Sequence, residues 1–113
     1  MKRNLVMMVG LVILLLPFAA SAETWKGVSL MDAGCAAKMA DKPDSHTRSC
    51  ALRCAKAGYG ILTGDGTFIK FDDAGNKQAF EALQASEKKD HLRVTVEGEL
   101  DGETLNVATL TID

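Results

Sequence analysis

The chain has 113 residues, 13 basic and 15 acidic side chains for a net charge of −2, three cysteines and two histidines. That length allows one modest domain. The acidic balance argues against nucleic acid as a partner, since phosphates repel such a surface unless its few cations gather on one face.

The apolar character is concentrated at the amino terminus. Lys2 and Arg3 precede an apolar run from Leu5 to Phe18, which carries Pro17 near its end and leads into Ala20-Ser21-Ala22. A basic start, a short apolar stretch and a small-x-small site are the parts of a secretory signal, with cleavage expected before Glu23. A spanning helix needs about 20 apolar residues, so no stable membrane insertion is expected once residues 1–22 are removed. The first cysteine is Cys35, too far along to carry a lipid anchor at the processed end. The expected product is a single domain, residues 23–113, with 91 residues and a net charge of −4, periplasmic or secreted. Its few aromatics (Trp25, Tyr59, Phe68, Phe71 and Phe80) predict a small core, of the kind that benefits from a covalent or metal staple.

Residues 24–31 alternate as a strand with Trp25, Val28 and Leu30 apolar, and Gly27 marks a bulge. Asp32 to Pro43 reads as irregular, with one helical turn through Cys35–Ala40. Asp44 or Ser45 then caps a helix from about His46 to Ala57, which Gly58 stops in the left-handed conformation. Residues 59–63 and 67–71 flank Gly64-Asp65-Gly66 as a hairpin. Asp72-Asp73-Ala74-Gly75-Asn76 breaks the pattern as a turn and helix cap, since a calcium loop would need further ligands. Residues 77–88 place Ala79, Phe80, Ala82 and Leu83 along one side of an amphipathic helix. His91 opens a strand to Leu100 as a solvated edge residue, Asp101-Gly102 turns, and Thr104–Ile112 returns. The apolar set of that last strand shifts phase after Val107, the mark of a bulge in a curled sheet. Five short strands, with a helix between the third and fourth and a cysteine-bearing helical insertion after the first, predict a mainly β, five-stranded OB-like barrel.

Chemistry concentrates in Cys35, His46, Cys50 and Cys54, which fall within 20 residues. Together they form the Cys3His set of tetrahedral zinc. An oxidising compartment instead favours a disulfide from Cys35 to Cys50 or Cys54, which leaves one odd thiol. The third reading is that the cysteines are small buried hydrophobes. On one continuous helix the backbones of His46 and Cys54 would lie about 12 Å apart, too far for metal bonds of about 2.1 and 2.3 Å to bridge comfortably. A four-ligand site therefore requires the helix to start after His46. Otherwise three thiolates remain, a soft set for Cu(I) or Zn(II). The helix dipole favours Cys50 as the reactive thiol. No nucleophile–base–orienter arrangement, phosphate loop or paired catalytic carboxylates stand out, so a non-enzymatic role is expected.

These residues resemble a group of small exported bacterial proteins with an OB-like fold. The shared features are Trp25 and Gly27, then Asp32-x-x-Cys35, then Cys50-x-x-x-Cys54 with Gly58, and a closing strand with Val94-x-Val96-x-Gly98. The resemblance implies fold and location but no activity. That group often carries a histidine soon after the first cysteine. Here Lys38 and Met39 stand in that neighbourhood and the histidine is His46, so a metal site does not carry over directly. Three functions remain in view: a cysteine-centred module for envelope metal handling or binding of a protein or small ligand; a thiol redox protein acting through Cys50; and an OB-type domain for a peptide or glycan with structural cysteines.

Overall fold

The structure is a computed structural model that describes residues 22–113, so the expected signal segment lies, but for Ala22, outside the described residues. Strand β1 (Glu23–Asp32) does the work of two, because it pairs with different neighbours at its two ends. Its first half lies antiparallel to β4 (Arg93–Asp101), and its second half to β2 (Tyr59–Leu62). The register against β4 slips between Trp25 and Val28, at Gly27, whose φ of +65° suits a residue without a Cβ. Strand β3 (Phe68–Phe71) pairs with β2, and β5 (Thr104–Ile112) runs parallel to β3 and antiparallel to β4. The order β1-β2-β3-β5-β4 closes back on β1, which is the OB-like barrel expected from the sequence. Closure leaves no sheet edge exposed along the paired lengths.

Alternation fills the barrel with Leu30, Ile61, Val94, Val96, Leu105 and Val107. The phase change in β5 is a bulge: Glu97 faces Thr109 and Gly98 faces Val107, so Ala108 is the additional residue. On the outer side of β1 and β2, Met31 and Leu62 are buried against Ala36, with Cys35, Met39 and Phe68 packed alongside. The segment after β1 therefore roofs the sheet.

Helix α2 (Asp73–Ala85) joins β3 to β4 and buries Gly75, Ala79 and Leu83. It begins four residues earlier than the periodicity predicts and ends three earlier. Asp72 is the reason for the early start: its carboxylate accepts N–H bonds from Gly75 (2.9 Å) and from Val107 (3.1 Å), capping the helix and tying it to β5. Gly75, which looks like a break in the sequence, is a packing requirement. Strand β4 starts at Arg93 rather than His91, because His91 turns the chain with a φ of +51°.

Helix α1 (Arg48–Arg53) is also shorter than expected. Pro43–Ser45 forms a separate 3-10 turn, His46 is extended, and the Thr47 hydroxyl caps α1 by accepting the Cys50 N–H. A second 3-10 turn, Ala55–Ala57, ends at Gly58 with φ +84°. The expected caps Asp44 and Ser45 belong to the first turn instead.

A Cβ on Gly75 would stand 2.5 Å from Val107 Cγ2 and 2.7 Å from Phe71 Cβ. Gly75→Ala is expected to cost about 1–3 kcal/mol by overpacking, despite the better helix propensity of alanine. Gly64→Ala, where nothing lies within 4 Å, is expected to leave stability unchanged. Urea denaturation of the two variants checks both.

Candidate metal centre

The site is built at the end of β1, where Asp32 follows Leu30 in the inward alternation and is fully buried. A buried carboxyl group needs partners. One is the turn that leaves the strand: the Cys35 N–H donates to Asp32 Oδ2 at 3.0 Å. The other approaches from the insertion, where His46 Nε2 lies 2.7 Å from Asp32 Oδ1, with His46 itself 3% exposed. That approach is close but misaligned, and neither His46 Nε2 nor Asp32 Oδ1 makes a hydrogen bond of acceptable geometry with any partner. One ligand atom from each of Asp32, Cys35 and His46 lies within 4.8 Å of the other two.

His46 reaches this position because it is outside α1. Its backbone is extended (φ −70°, ψ 127°) between the 3-10 turn and the Thr47 cap. The insertion is held to the barrel from both sides. Arg93 clamps the Asp44 carboxylate with two bonds of 2.8 and 2.9 Å and also donates to the Gly27 carbonyl. His91 N–H donates to the Asp44 carbonyl, and Arg48 N–H to that of Lys89. The Arg48 side chain bonds the carbonyls of Leu83 and Gln84 at the end of α2. Hydrogen bonding to Arg93 holds the Asp44 carboxyl below its ordinary range. The clamp is therefore intact above ordinary carboxylate pKa values and loosens only as pH falls through the lowered one. Being half exposed, it directs the chain more than it stabilises the fold.

Cys54 follows α1 directly and lies against Cys35. Burial, the Asp32 charge and the Cys54 thiol all push the Cys35 thiol up from its usual pKa. Cys50 stands outside the Asp32–Cys35–His46 group; its Sγ accepts from Arg53 at 3.9 Å. Of the four residues singled out in the sequence, the structure thus joins Cys35 and His46 and adds Cys54 beside Cys35. The three cysteines are all free thiols, so the disulfide expected from Cys35 to Cys50 or Cys54 is absent from the structure. The residue missed was Asp32. An acid ending an apolar strand on its inward face, three residues before a cysteine, was the signal for it.

Tyr59 forms the inner wall. Its hydroxyl donates to the Ala51 carbonyl at 2.8 Å and its N–H to Asn76 Oδ1 at 2.8 Å, linking α1, β2 and α2. Burial, reinforced by Asp32 and Cys54, pushes its pKa up to about 12. No protein family, curated protein or solved structure matches this chain, so the site is read from its own chemistry.

The chain has one tyrosine, so an ultraviolet titration reports Tyr59 alone, and its midpoint is expected near 12. Because the folded value is raised, its contribution to stability is complete below the unfolded value of about 10 and is lost as pH climbs past it. Tyr59→Phe leaves the Ala51 carbonyl without its donor and is expected to cost about 1–2 kcal/mol in urea denaturation.

Proposed function

We propose that this domain is a small exported metal-binding module, not an enzyme, that holds one zinc ion through Asp32, Cys35 and His46. The observation that carries the reading is the Asp32–His46 pair: two buried polar atoms 2.7 Å apart, neither satisfied by a hydrogen bond. Leaving such groups unpaired costs about 1–3 kcal/mol each, and a cation bound by both would relieve it. A carboxylate oxygen, an imidazole nitrogen and a thiolate sulfur form a mixed donor set that suits zinc better than Cu(I), which prefers sulfur. Export rests on the Lys2-Arg3 start, the apolar run and the Ala20-Ser21-Ala22 site, and the resemblance to small exported OB-like proteins supports the same placement. A role in envelope metal handling follows from the two together.

Zinc binding by the reduced protein, measured by competition with a chromogenic chelator, is expected at one ion per chain. It should tighten as pH rises, because Cys35 must lose its proton to bind. Asp32→Asn and His46→Gln are each expected to weaken it by more than about 100-fold, beyond the cost of losing an outer-shell partner. Cys50→Ser is expected to bind as the wild type does. Binding that survives both Asp32→Asn and His46→Gln would remove this assignment.

A further inference from the structure

Cys54 is the group at the site that the zinc reading leaves unused. The turn that carries Cys35 and the segment that carries Cys54 are packed against each other. Ala33 N–H donates to the Gly58 carbonyl at 2.9 Å, and a Cβ on Gly34 would stand 3.8 Å from that of Ala57. Both thiols are half-buried on these packed segments, and the Cys54 thiol is near enough to bear on that of Cys35. Cys54 is also the residue where the chain leaves α1, with φ −98° and ψ 22°, between the helix and the following 3-10 turn. Its N–H still bonds back to the Cys50 carbonyl of α1 at 3.1 Å, and its own carbonyl accepts from Ala57 N–H at 3.0 Å, so the fold fixes where the thiol emerges. Cys50, one helical turn earlier, is engaged with Arg53 and outside the group.

We propose that Cys35 and Cys54 form a thiol–disulfide gate on the cation site, so that the reduced domain holds the ion and the oxidised domain releases it. This rests on the metal-binding reading of Asp32, Cys35 and His46. The oxidant is a disulfide of the RSSR class. The Cys54 sulfur, which is not a ligand, attacks one sulfur of RSSR; the S–S bond breaks, and one RSH leaves with the Cys54 proton. The Cys35 sulfur then attacks the mixed disulfide at Cys54, and the second thiolate leaves. With the cation bound, Cys35 has already given up its proton, and the second RSH takes one from solvent. Two cysteines are oxidised, one RSSR is reduced to two RSH, and the new bond joins Cys35 Sγ to Cys54 Sγ. The cation loses its sulfur ligand and is left with Asp32 and His46 alone.

The test uses the mature chain in the Cys50→Ser background, loaded at saturating zinc and treated with oxidised glutathione. Zinc release is followed with a chromogenic chelator, and the covalent state by intact mass and peptide mapping. Release is expected to keep step with a Cys35–Cys54 linkage and the loss of two hydrogens. Both Cys54→Ser and Cys54→Ala are expected to release zinc at least about tenfold more slowly, since the exchange lacks its attacking sulfur. Zinc that leaves both variants at the parent rate would overturn the gate while the metal reading stands, and zinc that stays bound after the linkage has formed would overturn the gate and also remove Cys35 from the ligand set. Failure of the reduced parent to take up zinc would overturn both. A linkage that forms in that case would show the thiol exchange to be independent of any cation.

Discussion

A carboxyl group buried at the end of β1 sets the terms for everything around it. Asp32 has no exposed surface, and burying such a group without partners is costly. Its two oxygens are met by different segments: Oδ2 by the Cys35 N–H as the chain leaves the strand, and Oδ1 by His46 from 14 positions further on. To deliver that imidazole the insertion gives up helix at His46. The chain forms a short 3-10 turn, extends through His46, and only then starts α1 on the Thr47 cap. The brevity of α1 is thus a consequence of where His46 has to be.

The barrel supplies the rigidity that this arrangement requires. Closure of β1-β2-β3-β5-β4 holds the end of β1 beside Tyr59 at the start of β2, with Asp32 opposite Tyr59 in register. Tyr59 and Asn76 carry that position on to α1 and α2 through the Ala51 carbonyl and the Tyr59 N–H. On the far side, Arg93 at the start of β4 grips Asp44 two residues before His46. The insertion is therefore fastened on both sides of His46. The Met31–Leu62–Ala36 cluster beneath the intervening turns fastens its beginning.

Much of this is legible in the sequence, and the rest is hidden there for definable reasons. Strand alternation and glycine turns are local signals, so the five strands, the Gly27 bulge, the β5 phase shift and the barrel class could be read directly. Helix limits depended on contacts distant in sequence. Gly75 looks like a breaker until Phe71 and Val107 are seen to leave no room for a side chain. The same holds for the site. Cysteine and histidine draw attention by type, so Cys35 and His46 stood out, and helix geometry alone made a four-ligand site conditional on the helix starting after His46. Asp32 is flagged only by its place, an acid ending an apolar strand three residues before a cysteine, and it stands out from the other acids once its burial is known. The helix dipole singles out Cys50 over Cys54 in the sequence, but which of them stands near the turn at Cys35 is set by the fold.

The proposed centre is a mixed donor set gathered around Asp32, and bound zinc would report that set. X-ray absorption at the zinc edge of the reduced, stoichiometric complex is expected to show one sulfur at about 2.3 Å with nitrogen and oxygen neighbours at about 2.0–2.2 Å. The scattering pattern of an imidazole ring should accompany them. A shell with no sulfur and no imidazole, or one made of three sulfurs, would contradict it.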